Sequence, residues 1–492
     1  MLGSVAKRLL VLPRLTRTTY LIPSYRHYHG ISKTDRRDFM MTQFGPPINR
    51  SMKELDRSFF KKDIQLIVAY FPNPVNLSTF VKVCKNDVLY LPSIKHIVPI
   101  ESSKAVLLKE NYTLDNYQSL ISDVTKEKIK EYGIEIRPYT LKLGYEYWKS
   151  DDILRAILPE ELLDEIPTGF AQAGHVAHLN LRDEFKPYGK LIGEVILDKN
   201  PKVRTVVDKV DTIDTKFRTF KMNVLAGVDD LLVEQSESGC RFKFDFSKVY
   251  WNSRLSTEHE RLINSFAPHE VVVDVFAGVG PFAVPAAKKE VIVLGNDLNP
   301  ESYKYLQENI KLNHVEKFLK PYNLDGREII RQSPKLLLQW IEDNSGTIDK
   351  TIVKRRKVVE NEQTRSVRET NTIKIEIPKY ISHFVMNLPD SALTFLDEFI
   401  GLYSEVENTV RKDPNFKLPI INVHCFEKFD PRGPEPPIEE LHAKVHARIV
   451  KLIDFDIPFD KCHFHLVRKV APTKPMFCVS FELPEQVAFR KK

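Results

Sequence analysis

Residues 271–282, VVVDVFAGVGPF, constrain the fold of this chain more than any other stretch. A run of β-branched residues predicts a strand buried on both faces, and the acid and paired glycines after it predict a tight turn into a helix. Gly278, Gly280 and Ala283 satisfy G-x-G-x-x-[GA], a turn in which the backbone can pass close to a bound nucleotide or nucleoside. Asp297 closes the next strand, VIVLGND, where a carboxylate can accept hydrogen bonds from ribose hydroxyls. Strand and helix then keep alternating. FAVPAAKK, PESYKYLQENIKLN, ALTFLDEFIGLY and PIEELHAKVHARIVKLI read as helices, and HFVMNLP and LPIINVHCF as strands. CHFHLVRKVAP and MFCVSFELP close the chain as antiparallel strands. That order predicts an α/β, Rossmann-like doubly wound domain over residues 251–492.

The glycine fingerprint alone does not separate a dehydrogenase from an S-adenosylmethionine enzyme, since both hold an adenosine ribose at this turn. Two further features separate them. Asp274 lies on the first strand, four residues before Gly278. A carboxylate is unfavourable beside a pyrophosphate but favourable beside a sulfonium and an α-amino group. Pro281 fits a turn that need not donate every N–H to phosphate. Asn387-Leu388-Pro389 follows the fourth strand, where a polar residue and a rigid proline can form the floor under a flat base. Group transfer from S-adenosylmethionine is therefore expected, rather than hydride transfer.

Two smaller segments precede that domain. Residues 35–140 read as a mixed α/β module, with IQLIVAYFP and VLYLP as strands and LSTFVKVCKN as a helix. Residues 141–250 read as an α+β, RNA-binding segment. SDDILRAILPEEL is its helix, and GHVAHLNL, GKLIGEVILDKN and VRTVVDKV follow as strands. DLLVEQSESGCRFKFDFSKVY closes it as a hairpin around a Ser/Gly turn. Arg204, Lys209, Lys216, Arg218 and Lys221 give this segment repeated basic positions. Residues 345–378 carry eight Lys/Arg against five Asp/Glu and read as an inserted, mobile surface loop able to meet a polyanion.

With 492 residues and 42% apolar content, the chain can build several cores. No run approaches the roughly 18 apolar residues that span a bilayer, so no membrane partner is expected. The five cysteines are scattered without a C-x-x-C pair, which argues for a reducing compartment. A net charge of +7 permits a polyanionic partner without requiring one. Residues 1–34 hold six Lys/Arg and no acid, which predicts a mitochondrial targeting segment and a matrix form. A second start at Met40 or Met41 would leave a cytoplasmic and nuclear form.

The motifs SKVYWNSRLSTEHERL, DVFAGVGPF, GNDLNP, NLDGRE and VMNLPD, in this order, resemble the archaeal and eukaryotic tRNA (guanine-N1)-methyltransferases, which act on guanine 37 beside the anticodon. The likeness covers about residues 148 to 483. It implies an S-adenosylmethionine-dependent enzyme, acting on tRNA as a monomer, whose 1-methylguanosine supports reading-frame maintenance and begins wybutosine synthesis. It further implies cofactor contacts by Arg254, His259, Phe276, Asp297, Leu298, Asp325, Gly326 and Asn387. Glu258 is implied as general base and Arg218 as the group stabilising the ionised guanine; Tyr250, Asn387 and Pro389 are implied as shapers of the base pocket. His259 departs from relatives that hold Arg there.

These residue types suit the chemistry. Guanine N1 is a poor nucleophile until its proton leaves, which a carboxylate can take while a guanidinium stabilises charge developing at O6. Related enzymes with the same core transfer the aminocarboxypropyl group of the same cofactor instead. The intact helix start TEHERL with NLP favours methylation. A DNA amino-methyltransferase would want [DN]-P-P-[YF], which Leu388 and Asp390 break, and a plain RNA-binding module would not need this order of cofactor motifs. His463 and His465 alternate on a strand without further ligands, so no metal is expected.

Overall fold

The computed structural model describes residues 43–213, 217, 219–360 and 363–491; the expected targeting segment 1–34, Met40, Met41, Lys216 and Arg218 lie outside them. The chain divides into two compact units, Met1–Ile166 and Pro167–Lys492.

In the first unit the apolar run Lys62–Phe71 forms an inner strand of a four-stranded antiparallel sheet, between Ser103–Leu107 and Glu135–Leu143. Its inward residues Ile67, Ala69 and Phe71 pack with Leu77 and Phe80 of the helix Leu77–Val83. VLYLP forms no strand: Val88 makes a single bridge to Leu108, and the neighbouring Asp87 is committed to a buried network. The Asp87 carboxylate accepts the hydroxyls of Tyr112 at 2.6 Å, Ser122 at 2.5 Å and Thr125 at 2.6 Å. Pro138 sits opposite Ile67 on the outermost strand, where a missing N–H is tolerated. The unit also runs past the expected boundary at 140. The Trp148 indole donates to the Phe44 carbonyl at 2.8 Å, and the Arg50 guanidinium donates to the Arg155 and Leu158 carbonyls at the end of the helix Ser150–Ile157.

The second unit opens with a sheet ordered Ala171–Ala173, Val176–Leu179, Thr205–Ile213, Phe220–Gly227. GKLIGEVILDKN, expected as a strand, is the helix Gly189–Lys199 packed on that sheet. Its buried Leu191, Ile192, Val195 and Ile196 repeat at helical spacing, a period that wins over local β-propensity. The hairpin Leu232–Glu237/Cys240–Asp245 is as expected, with Ser238 and Gly239 at φ 48° and 70° supplying the left-handed turn. It does not core with the segment before it alone. Val233, Cys240, Phe242 and Phe244 share one cluster with Trp251, Leu262, Val272 and Val279, so the expected division at 250 cuts through a core.

The doubly wound sheet has seven strands, ordered Leu319–Tyr322, Ile292–Asn296, Val271–Asp274, His383–Met386, Ile420–Phe426, Lys474–Glu482, His463–Ala471. The first five are parallel, Lys474–Glu482 runs antiparallel to them, and His463–Ala471 pairs antiparallel with it. The edge strand Leu319–Tyr322 and the helix Gly326–Asp343 lie beyond the expected elements, and ALTFLDEFIGLY is a 3-10 helix over Ala392–Phe399. The inserted segment is not a structureless loop. It is a two-stranded hairpin, Thr347–Glu360 with Gln363–Glu376, rooted by the buried Ile348, Ile375 and Ile377. Ile373, Ile375 and Ile377 alternate as strand residues do, amid a high density of charge. Among the described residues no helix is long and apolar enough to cross a membrane, and the five cysteines are free and buried.

The shared core gives a test. A fragment of residues 167–491 should unfold cooperatively in near-ultraviolet circular dichroism, whereas one starting at 251 should not. The shorter fragment loses Phe242 and Phe244, and truncating a single buried Phe to Ala already costs about 3–5 kcal/mol of a total of roughly 5–15. Equal cooperativity in both fragments would place the hairpin outside the catalytic core.

Candidate active site

The glycine turn after Val271–Asp274 takes the conformation its sequence demands. Gly280 has φ +100°, and a Cβ there would meet Val284 Cγ2 at 2.7 Å and Leu306 Cδ1 at 2.8 Å. The Gly278 N–H donates to Asp297 Oδ2 at 2.8 Å and the Asn299 N–H to Oδ1 at 2.9 Å, so the Asp297 carboxylate is fixed at the end of its strand. Burial pushes that carboxyl up, opposed by these amide bonds. On the third strand end, Asp325 accepts from the Arg327 N–H at 2.8 Å and so caps the helix that begins at Gly326. Gly326 allows close approach of Phe276, whose Cε1 would lie 2.7 Å from an added Cβ. Phe276, Asp297, the exposed Leu298, Asp325, Gly326 and Asn387 thus all follow the carboxyl ends of adjacent parallel strands, where open α/β sheets bind ligands.

Two expected residues are placed differently. His259 is buried, with Nδ1 at 2.5 Å from Glu237 Oε1 and its ring edge on Phe282 at 4.6 Å, so its polar contact is a hairpin carboxylate. Glu258, on the helix Ser256–Ser265, has a side chain only 1% exposed. Its oxygens accept Arg261 Nε at 2.7 Å and Nη2 at 2.8 Å, and His424 Nε2 lies 2.7 Å from Oε1. Burial pushes this carboxyl up, but the bonds and charges of Arg261 and His424 outweigh it and hold it down at about 2. Tyr250 is 48% exposed, Arg254 is exposed, and the Pro389 carbonyl accepts the Phe426 N–H at 3.1 Å. Arg254 and Lys209 lie near His178, which burial, then these cations, holds down at about 4.

Three buried polar groups on neighbouring strands lack partners. Neither oxygen of Asp274 makes a hydrogen bond of good geometry, nor does Asn387 Oδ1 or His424 Nδ1. Asp274 pairs in register with Val385, and Met386 with Val423, so Asn387 and His424 follow at one level of adjacent strands. Burial, with the Asp297 carboxylate adding to it, pushes Asp274 up to about 8. A buried carboxyl and an amide oxygen without donors are complementary to a ligand carrying N–H groups and positive charge. S-adenosylmethionine, with its ammonium, sulfonium and ribose, fits these acceptors.

Sequence reasoning missed Asn296, Arg261, His424 and Cys478. The buried Asn296 amide donates to the Val275 and Leu324 carbonyls at 3.1 and 3.0 Å and accepts the Leu324 N–H at 2.9 Å, joining three strand ends. The one available signal for His424 was a polar residue alternating with Asn422 inside an apolar strand. Glu258, His424 and Cys478 bring possible metal-ligand atoms within 4.8 Å of one another. The Arg261 guanidinium already occupies both carboxylate oxygens, however, and would repel a cation.

Comparison with known proteins adds a family. Residues 233–374 match the TRM5/TYW2 methyltransferase domain and residues 150–230 the TYW2 N-terminal domain. A tRNA (guanine(37)-N(1))-methyltransferase of Candida albicans (strain WO-1) is 62% identical over 92% of this chain and 100% of its own length. The enzyme of the same description from Saccharomyces cerevisiae is 50% identical over 90% and 95%. Among solved structures, Trm5b from Pyrococcus abyssi is 23% identical with a TM-score of 0.52, covering 85% of this chain and 99% of that one. The complex of aTrm5 and tRNALeu is 19% identical with a TM-score of 0.53, covering 86% and 100%. These two structures share the fold.

Asp274 supplies a test without any ligand. Its raised carboxyl favours folding fully below the ordinary value near 3.8, and that contribution is lost as pH rises through about 8. Asp274→Asn should therefore raise the melting temperature of the cofactor-free protein more at pH 8 than at pH 5, while weakening S-adenosylmethionine binding in calorimetry. An equal shift at both pH values would show that Asp274 keeps an ordinary carboxyl.

Proposed function

The chain belongs to the TRM5/TYW2 methyltransferase family, and we infer that within it this protein is the S-adenosylmethionine-dependent tRNA (guanine(37)-N1)-methyltransferase. It methylates N1 of guanine 37 in tRNA. The observation that carries this reading is the match, along nearly the whole of both chains, to enzymes of that description at 50–62% identity. The unpartnered acceptors at the strand ends agree with it.

Bound S-adenosylmethionine supplies a methyl group on a sulfonium whose departure leaves a neutral thioether. The chain's own residues supply the rest. Asp297, fixed by two amides, presents its carboxylate to the ribose hydroxyls. Asp274 would set a carboxyl beside the cofactor's positive charge, and Phe276, packed closely on Gly326, would line the cofactor's place. Asn387 and Pro389, with Tyr250, shape the place of the guanine base. Glu258 takes the N1 proton, and Arg218 stabilises the charge that develops at O6. Because Glu258 is already ionised at neutral pH, it needs no prior loss of a proton; because its oxygens are occupied, one donor must give way as the base arrives.

A second reading, aminocarboxypropyl transfer on the same fold, would use the same cofactor and give a different product. The product separates them. Incubation of guanine-37 tRNA with the protein and methyl-labelled cofactor should yield labelled 1-methylguanosine. An aminocarboxypropyl nucleoside would transfer the chain to the other branch. Glu258→Gln should lower the single-turnover rate by roughly 10² to 10⁴ with cofactor affinity little changed, and a rate retained across pH would remove the general-base role.

The same reading extends to setting. The protein acts as a monomer, and its long form acts in the mitochondrial matrix, with a form begun at Met40 or Met41 left in the cytoplasm and nucleus. The acid-free, basic residues 1–34 support the mitochondrial form. Fused to a fluorescent reporter, they should give a mitochondrial signal; a diffuse signal would sink the targeting.

A further inference from the structure

We propose that His424 is a positioning residue for methyl transfer, holding the Glu258 carboxylate in the geometry from which it receives the guanine N1 proton. The inference rests on the reading of Glu258 as proton acceptor. His424 stands on the strand Ile420–Phe426, remote in sequence from the helix that carries Glu258, and its ring is fully buried. Nε2 is spent on Glu258 Oε1 at 2.7 Å, while Nδ1 is left without a partner. The ring therefore touches the acceptor carboxylate through Nε2 and lies against the Cys478 thiol.

The surrounding charges define what this contact does. Arg261, one turn on along the same helix, grips both Glu258 oxygens. From the sheet, Cys478 on Lys474–Glu482 lies beside His424, and His465 Nε2 on the edge strand lies 3.5 Å from Glu258 Oε2. Asp274 faces His424 from the first strand. Burial pushes His424 down, but Cys478 and Glu258 outweigh it and bring the ring up to about 10. A protonated ring is a donor to Glu258 that does not lapse at neutral pH.

Arg261 and His424 have different mobility, and that difference makes the arrangement useful. Arg261 is on a partly exposed side chain and can swing away when the base enters. His424 is enclosed by strands and cannot. The carboxylate then loses one restraint, gains basicity, and stays aligned by the other. Proton transfer needs heavy-atom distances near 3 Å, and misplacement by about 1 Å can cost about 10²-fold in rate.

The experiment is a double-mutant cycle on the full chain, read as single-turnover methylation of guanine-37 tRNA at saturating cofactor. His424→Gln should slow the reaction roughly 10- to 100-fold with tRNA and S-adenosylmethionine affinities unchanged. His424→Gln/Glu258→Gln should be no slower than Glu258→Gln, because a residue that acts only through Glu258 has nothing left to position. Losses that multiply would overturn the proposal, as would a His424→Gln enzyme at the wild-type rate beside an inactive Glu258→Gln enzyme. A fully active Glu258→Gln enzyme would instead bring down the Glu258 reading, and this proposal with it. If His424→Gln fails to fold, His424→Asn and histidine ring NMR of the wild-type protein decide the matter. A ring still protonated at pH 8, and neutral there in Glu258→Gln, supports the pairing; a ring titrating near its ordinary value overturns it.

Discussion

The buried amide of Asn296 ties together the three strand ends on which the cofactor turn is built. It bonds Val275 just past the first strand and Leu324 past the third, from its own place at the end of the second. The Asn296 side chain is fully buried, so each of its polar atoms would cost about 1–3 kcal/mol if left unpaired. The neighbouring contacts inherit that spacing. Gly278 meets Asp297 because the first two strands end level, and Asn323 Nδ2 reaches the Asp297 carbonyl at 2.7 Å because the third does too. A strand-end carboxylate can be held this firmly only when the backbone around it is already fixed.

The same sheet drives two carboxyls in opposite directions. Asp274 is buried without a side-chain donor and is pushed up to about 8; Glu258 is buried with Arg261 and His424 and is held down at about 2. Burial alone would raise both, so the difference lies in partners. Asp274 becomes comfortable as an anion when positive charge is placed beside it, which suits a sulfonium cofactor. Glu258 is comfortable already, because Arg261 and His424 supply donors to both of its oxygens. Pairs of carboxyls separated in this way are how one site gives two acids different duties.

The recognition of one guanine among many in a tRNA asks for more surface than the base pocket. Charge is available for it in both the basic positions of the segment before the hairpin and the inserted ribbon, and phosphate contacts of that kind fix register without reading sequence. The ribbon is anchored by apolar residues at its root, so its strands extend from the catalytic core itself.

The sequence by itself determined the parallel sheet, the glycine turn, the Asp297 strand end and the NLP strand end, because each depends on local chemistry: β-branched runs, a left-handed turn, a helix cap. It also sufficed, through the order of its motifs, for the reaction and the cofactor. Tertiary structure decided the rest. GKLIGEVILDKN became a helix because its apolar residues had one sheet face to cover, and the charged insertion became a ribbon because Ile348, Ile375 and Ile377 had a core to join. No local rule pairs Glu258 with His424, 166 residues away. That contact exists only because a helix is laid across the fifth strand, and buried charges find their partners through packing in space, which spacing along the chain does not encode.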